Sequence, residues 1–192
     1  TIYNGTDIET PYMQCNGLEY LYYNDTDFNA VRMPYGNESA AFYVFLPNED
    51  SDLDNFFDQL NEDNWNNWIN SFDSISTFIS ESDLSKTWFQ IPKFNIEYVT
   101  YLIDLMKNLG MEIVFDDPDF SGITDMPIFI TNIKQKSLIE INETGSVAAA
   151  ATFYEGGFGG LPPRFLINRP FFFVIRDENS GVILFMGKVV NP

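Results

Sequence analysis

Glu143-Thr144-Gly145-Ser146-Val147-Ala148-Ala149-Ala150-Ala151-Thr152 runs directly into Phe153-Tyr154-Glu155-Gly156-Gly157-Phe158-Gly159-Gly160-Leu161-Pro162-Pro163-Arg164. Together these pieces lie in the interval between Asn142 and Asn168, which is too long for a hairpin turn. A loop of that length inside a compact domain is uncommon and usually functional. The bland alternative makes Ala148 to Ala151 one turn of an ordinary surface helix, which alanine's propensity permits. Composition alone leaves both readings open. The glycines are no phosphate cradle, since no Lys-Ser/Thr pair follows and Pro162-Pro163 forbids an immediate helix. They read as a flexible loop.

Outward from this stretch the text alternates between strands and helices. Downstream, the apolar runs Phe171 to Ile175 and Val182 to Met186 are joined by Arg176-Asp177-Glu178-Asn179-Ser180-Gly181 and predict a hairpin. Strands so apolar are expected to be buried on both faces. Upstream, Ser137 to Asn142 and Pro127 to Thr131 read as strands. Val99, Leu102, Ile103, Met106 and Leu109 predict a helix starting near Thr100 and stopped by Gly110, its apolar face seated on a sheet. Leu53, Phe56, Phe57 and Leu60 repeat at helical spacing, as do Trp65, Trp68, Ile69 and Phe72, giving two short amphipathic helices. Ala40 to Leu46 reads as a buried strand ended by Pro47, with a loop over Asn48 to Asp52. No repeat or extended low-complexity linker divides the chain, so residues 1–192 read as one domain.

Composition narrows the function. The 192 residues are 45% hydrophobic and 17% aromatic, enough for the core of one ordinary domain. Ten Lys plus Arg against 28 Asp plus Glu leave a net charge of -18, which repels nucleic acid and anionic lipid, so neither is expected as a partner. The apolar runs are strand-length rather than membrane-spanning, and the chain is expected to be soluble. The absence of histidine removes Ser-His-Asp triads, Cys-His pairs and imidazole metal sites, so no enzyme and no catalytic residue is expected. Asp116, Asp117 and Asp119 flank Pro118 without EF-hand spacing and read as a solvated turn, so neither a metal nor any other cofactor is expected. Cys15, alone, cannot form an internal disulfide and reads as a packed small apolar residue. Asn4, Asn24, Asn37 and Asn142 each begin an Asn-X-Ser/Thr sequon, a pattern expected by chance in a chain so rich in these residues.

Several blocks, in order, resemble one family: Tyr12-Met13-Gln14, Arg32-Met33-Pro34-Tyr35-Gly36, Phe45-Leu46-Pro47 and Ile91-Pro92-Lys93-Phe94. They continue with Leu109-Gly110-Met111, Asp119-Phe120-Ser121-Gly122-Ile123, Glu143 to Thr152, Asn168-Arg169-Pro170-Phe171 and Leu184 to Pro192. This text resembles the C-terminal half of a serpin, a member of the serine protease inhibitor superfamily. The likeness runs the length of the chain and is weakest over Asn48 to Ser85. Thr144 and Val147 replace acidic residues usual in the family's hinge, and Gln135 stands where many members carry histidine. The resemblance implies an α+β serpin fold, C-terminal portion, with mixed β-sheets, flanking helices and an exposed reactive loop over about 143–167. It also implies that a missing N-terminal half of the domain is this chain's partner.

The resemblance further implies a mechanism. The target serine protease, or a cysteine protease, cuts the loop, whose N-terminal arm then inserts as a new central strand of the large sheet and distorts the trapped acyl-enzyme. An arm entering a packed sheet must be narrow, because alternate side chains point into the core. Ser146, Ala148, Ala150 and Thr152 would share the inward face, with Val147, Ala149 and Ala151 outward. Gly145 supplies freedom at the hinge, beside Glu143. The family's commonest loop length puts the scissile bond at Gly159-Gly160. A cut at Phe158-Gly159 offers instead a phenyl ring whose burial is worth ~2 to 3 kcal/mol. Chymotrypsin-like, elastase-like or subtilisin-like targets are expected, whereas Arg164 lies beyond Pro162-Pro163 and disfavours trypsin-like ones. The alternatives are a noninhibitory serpin acting as a binding or carrier protein, and an inactive truncated fragment. Family habit points to an extracellular or cell-surface location.

Overall fold

The computed structural model describes residues 2–3, 6–7, 11–16, 21–75, 88–142 and 164–192. In chain order the first elements are β1 (Ile2–Tyr3), β2 (Thr6–Asp7), β3 (Tyr12–Asn16), β4 (Leu21–Asn24), β5 (Phe28–Tyr35) and β6 (Ala40–Pro47). Helices α1 (Leu53–Gln59) and α2 (Glu62–Ile75) follow, then β7 (Trp88–Pro92) and β8 (Phe94–Tyr101). Helices α3 (Ile103–Asn108) and α4 (Ile113–Asp116) precede β9 (Lys134–Ile141), β10 (Arg164–Leu166), β11 (Phe171–Asp177) and β12 (Ile183–Val189). The chain forms two units: Thr1–Phe94 with Ile141–Pro192, and Asn95–Glu140.

In the first unit a five-stranded sheet has the order β12-β11-β6-β5-β4, antiparallel throughout. Strand β6, Ala-Ala-Phe-Tyr-Val-Phe-Leu-Pro, has no polar face to offer water and is buried along nearly its whole length between β11 and β5. Pro47 closes it, as a residue without an N-H donor should. The turn between β5 and β6 needs left-handed backbone, supplied by Gly36 at φ +57 and by Glu38 at φ +66. Alternation sends Phe28, Ala30, Tyr43, Phe45, Phe172 and Val174 to one face, where Leu53, Phe56, Trp68, Ile69 and Phe72 of α1 and α2 cover them. Phe56 stacks on Trp68 with centroids 5.3 Å apart, while Phe28 meets Phe56 edge-on at 5.4 Å. Each buried ring contributes about 2 to 3 kcal/mol, so this face anchors the unit. Both sequence-predicted amphipathic helices form, and Asp52 caps α1 by accepting a 2.9 Å hydrogen bond from the Asn55 N-H.

A second sheet of this unit has the order β10-β7-β3, with β10 parallel and β3 antiparallel to β7. Strands β1 and β2 pair as a short antiparallel ribbon. In the second unit β8 and β9 make a two-stranded sheet, and the Leu102 N-H donates to the Ile133 carbonyl at 2.9 Å.

Three local expectations need correction. The predicted helix from Val99 begins only at Ile103, because Tyr98, Val99, Thr100 and Tyr101 take their β preference and join β8. Gly110 at φ +92 still ends that stretch, but α3 buries none of its residues. The segment Pro127 to Thr131 forms no strand: Pro127 brings no N-H, and the ladder begins at Lys134. Finally, the hairpin of Phe171 to Met186 is present, yet only β11 is buried on both faces. Ile183, Leu184, Phe185 and Met186 are 40–66% exposed, and among the described residues β12 is a terminal strand with β11 alone beside it.

Candidate functional site

Two described segments border the stretch singled out in the sequence, one ending at Asn142 and the other beginning at Arg164. On its N-terminal side β9 delivers Ile141 and Asn142 to its start. Along β9 the odd positions Ser137, Ile139 and Ile141 are increasingly buried while Lys134, Lys136, Leu138 and Glu140 face solvent, a period-two pattern. Lys136 Nζ lies 2.9 Å from Glu97 Oε2 of β8. Both side chains are exposed, so the pair contributes at most about 1 kcal/mol. Among the described residues, β9 has β8 along one edge and no strand along the other.

On the C-terminal side Arg164–Leu166, inside the expected loop span of 143–167, already form β10. Phe165 is buried, stacked on Phe89 at 5.7 Å and met edge-on by Tyr22 at 5.6 Å. The Ile167 N-H donates to the Gln90 carbonyl at 3.0 Å, extending the pairing past β10. Arg169 Nε then donates to the Pro47 carbonyl at 2.6 Å, tying the Asn168-Arg169-Pro170-Phe171 block to the end of β6. Burial of the Arg169 guanidinium pulls its pKa down, opposed by the nearby Glu49 charge.

The hinge residues Glu143, Gly145, Ser146, Ala148, Ala149, Ala150, Ala151 and Thr152 lie outside the described residues, and so do Phe158, Gly159 and Gly160 of the two candidate scissile bonds. Of the acidic turn, Asp116 pairs with Lys107 and Asp119 accepts the Ser121 N-H at 3.0 Å. Among the described residues no group of three metal-ligating side chains converges, and no helix is long and apolar enough to cross a membrane. Cys15 sits in β3 opposite Phe89.

One polar cluster escaped the sequence reading. Arg32 and Tyr43 face each other across β5 and β6, and both reach Glu178 beyond the end of β11. Arg32 donates to Glu178 Oε2 from Nη2 at 2.9 Å and from Nε at 3.1 Å, Tyr43 OH lies 3.0 Å from the same oxygen, and Arg176 Nη1 donates to Oε1 at 2.9 Å. Burial opposes ionisation of Glu178, but the hydrogen bonds from Arg32, Arg176 and Tyr43 outweigh it and hold its carboxyl below the ordinary value. The Tyr43 hydroxyl is pushed up to about 12 by burial and by the Glu178 charge, with Arg32 opposing. The signal was Arg32 itself: alternation puts it on the same face as Phe28 and Ala30, where a charge needs a partner. The cluster fastens the β11–β12 turn to the middle of the sheet. That turn needs Gly181, whose φ is +75 and whose missing side chain leaves room for the Arg176 guanidinium.

The sheets, with the sequence blocks they carry, resemble those of known proteins. The family described as "Serpin (serine protease inhibitor)" matches residues 1–192, the whole sequence. The chain belongs to the serpin family. Serpin-Z2A of Triticum aestivum is 31% identical over 98% of this chain and 48% of its own length, and Serpin-Z4 of Arabidopsis thaliana is 28% identical over 98% and 49%. The chain thus spans about half the length of the curated relatives it matches. Human glycosylated kallistatin has the same fold with a TM-score of 0.74 at 23% identity, covering 100% of this chain and 49% of that one. The mouse protein-Z dependent protease inhibitor gives 0.66 at 24% identity over 96% and 46%. The expected α+β serpin fold, C-terminal portion, is therefore the fold observed: mixed sheets flanked by few helices.

Proposed function

We propose that this serpin chain carries the reactive loop of an irreversible, suicide-substrate inhibitor of serine proteases, with cysteine proteases as a second target class. The observation that carries the reading is the text continuing from β9: Glu143 and Gly145 at a pivot, then Ser146 to Thr152 with no side chain larger than valine. Among the described residues β9 has one edge without a partner strand. An arm folding back along that edge would add antiparallel pairing and exchange water for ladder hydrogen bonds. Its small alternating side chains would fit the packed layer beneath. Cleavage at Gly159-Gly160, or at Phe158-Gly159, frees the arm while the stretch from Arg164 stays fastened through β10, Ile167 and Arg169.

In this reading the protein inhibits proteases and is no enzyme. It acts with the N-terminal half of the serpin domain in place, outside the cell or at its surface, on chymotrypsin-like, elastase-like or subtilisin-like proteases. Nucleic acid and membrane are not partners of so acidic a chain. The direct test is heat stability of the full-length protein before and after a single cut in the loop. An inserted arm raises the unfolding midpoint of the cleaved form, because new strand pairing stabilises only the folded state. An unchanged or lowered midpoint contradicts insertion.

A further inference from the structure

Two sequons are described in full, Asn24-Asp25-Thr26 and Asn37-Glu38-Ser39, and they flank the same strand, β5, the first before it and the second after it. The first forms the connection between β4 and β5, where Thr26 Oγ1 donates to Asp25 Oδ1 at 3.0 Å and the Asp25 N-H donates to the Phe28 carbonyl at 2.9 Å. The second lies within the β5–β6 turn, residues 36–39, all four exposed. Asn24 and Asn37 are themselves exposed, and neither lies within a central ladder: Asn24 ends the terminal strand β4. Among the described residues the Asn24 side-chain amide makes a long 3.4 Å hydrogen bond to Tyr22 OH, which a modification could displace. A sequon becomes meaningful when its asparagine sits on a solvent-facing turn that a transferase can reach and where a bulky sugar displaces nothing. Chance placement of Asn-X-Ser/Thr does not require that context, and here both described sequons have it.

We propose that Asn24 and Asn37 are acceptors of N-linked glycans. The co-reactant is an oligosaccharide joined to a lipid diphosphate. The asparagine amide nitrogen forms a bond to the anomeric carbon, the bond from that carbon to the diphosphate oxygen breaks, and the lipid diphosphate leaves with the electron pair while the amide proton passes to a base of the transferase. The glycan on Asn24 has a physical use as well. Among the described residues strand β4 is one edge of the five-stranded sheet, and a sugar at its end shields that edge from a second sheet. On Asn37 the sugar stands off the tip of the longest hairpin of that sheet. The proposal rests on the location outside the cell given above and is independent of loop insertion.

The experiment is to express the full-length protein from its complete coding sequence in a eukaryotic cell. The secreted and retained fractions are then treated with peptide N-glycosidase in heavy-oxygen water and mapped by mass. The expected result is heavy-oxygen aspartate at positions 24 and 37, and the loss of one glycan-sized step on a gel for each of Asn24→Gln, Asn37→Gln and the paired controls Thr26→Ala and Ser39→Ala. Secreted protein with unmodified Asn24 and Asn37 overturns the glycan assignment while leaving the location intact. Protein found only in the cytosol, unmodified, overturns both.

Discussion

Arg32 and Glu178 lie 146 positions apart in the chain and are joined by two hydrogen bonds of 2.9 and 3.1 Å onto a single carboxylate oxygen. The contact closes the sheet across its middle, because Arg32 stands on β5 while Glu178 sits just past β11, with Tyr43 of β6 between them. A charge pair this far from full exposure stabilises only while every member is present. Glu178→Gln leaves Arg32 and Arg176 short of their anion and is expected to cost about 2 kcal/mol. Glu178 has its folded pKa depressed, so its contribution is present above the ordinary value of 4.5 and is lost as pH falls through the lower folded value. Denaturant melts of the full-length protein between neutral and acid pH should show that acid loss, and Glu178→Gln should flatten it. A variant as stable as the parent, with the same acid limb, contradicts the role given to the cluster.

Gly187 is fixed by contact rather than by backbone angle. A Cβ placed there would lie 2.8 Å from Phe173 Cζ and 2.9 Å from its Cε1, and Phe173 is itself packed against Phe42 and Phe94 at 5.9 and 5.3 Å between centroids. Gly187→Ala is therefore expected to destabilise by about 1 to 3 kcal/mol, as overpacking does. Phe173→Leu, destabilising alone, should recover part of that loss when combined with it, which a double-mutant cycle reads as coupling. Additive effects would show that the ring and the glycine do not meet.

Asp52 caps α1, and its carboxylate also faces a helix N-terminus. Asp52→Ala should cost about 1 kcal/mol, while Asp52→Asn keeps the acceptor and costs less. Equal losses for the two, measured by urea unfolding, would assign the effect to charge instead of to the hydrogen bond.

Ala150 tests the arm. Ala150→Arg places a long charged side chain at an inward position of the inserted strand, where burial without a partner is strongly unfavourable. The expected outcome is unchanged cleavage by the protease with loss of the covalent complex, whereas Ala149→Arg on the outward face should be tolerated much better. Equal complex yield from both variants would refute the alternation assigned to Ser146 through Thr152.

Much of the central sheet could be read in advance because its strands are extreme. Ala40 to Leu46 and Phe171 to Ile175 have no polar side to lose, and the spacing of Leu53, Phe56, Trp68 and Phe72 admits only helices. Reading failed where two local preferences competed. Val99 to Tyr101 fit a helical period and a strand equally, and pairing with β9 decided it. The exposure of Ile183 to Met186 was invisible because an apolar run does not reveal whether it becomes a central or a terminal strand. Glu178 was invisible because two of its three partners, Arg32 and Tyr43, come from strands more than a hundred residues away. The candidate loop was recognised from its small residues and its order among other blocks, and its hinge and scissile positions lie outside the described residues.

The most direct measurement incubates the full-length protein with chymotrypsin, elastase and subtilisin, looks for a complex that survives SDS, and weighs the peptide released from the C-terminal side of the cut. Inhibition by loop insertion predicts a covalent complex and a peptide beginning at Gly160, or at Gly159 if the cut follows Phe158. Clean cleavage with no complex for any of the three proteases contradicts it and leaves a serpin whose loop is only a substrate.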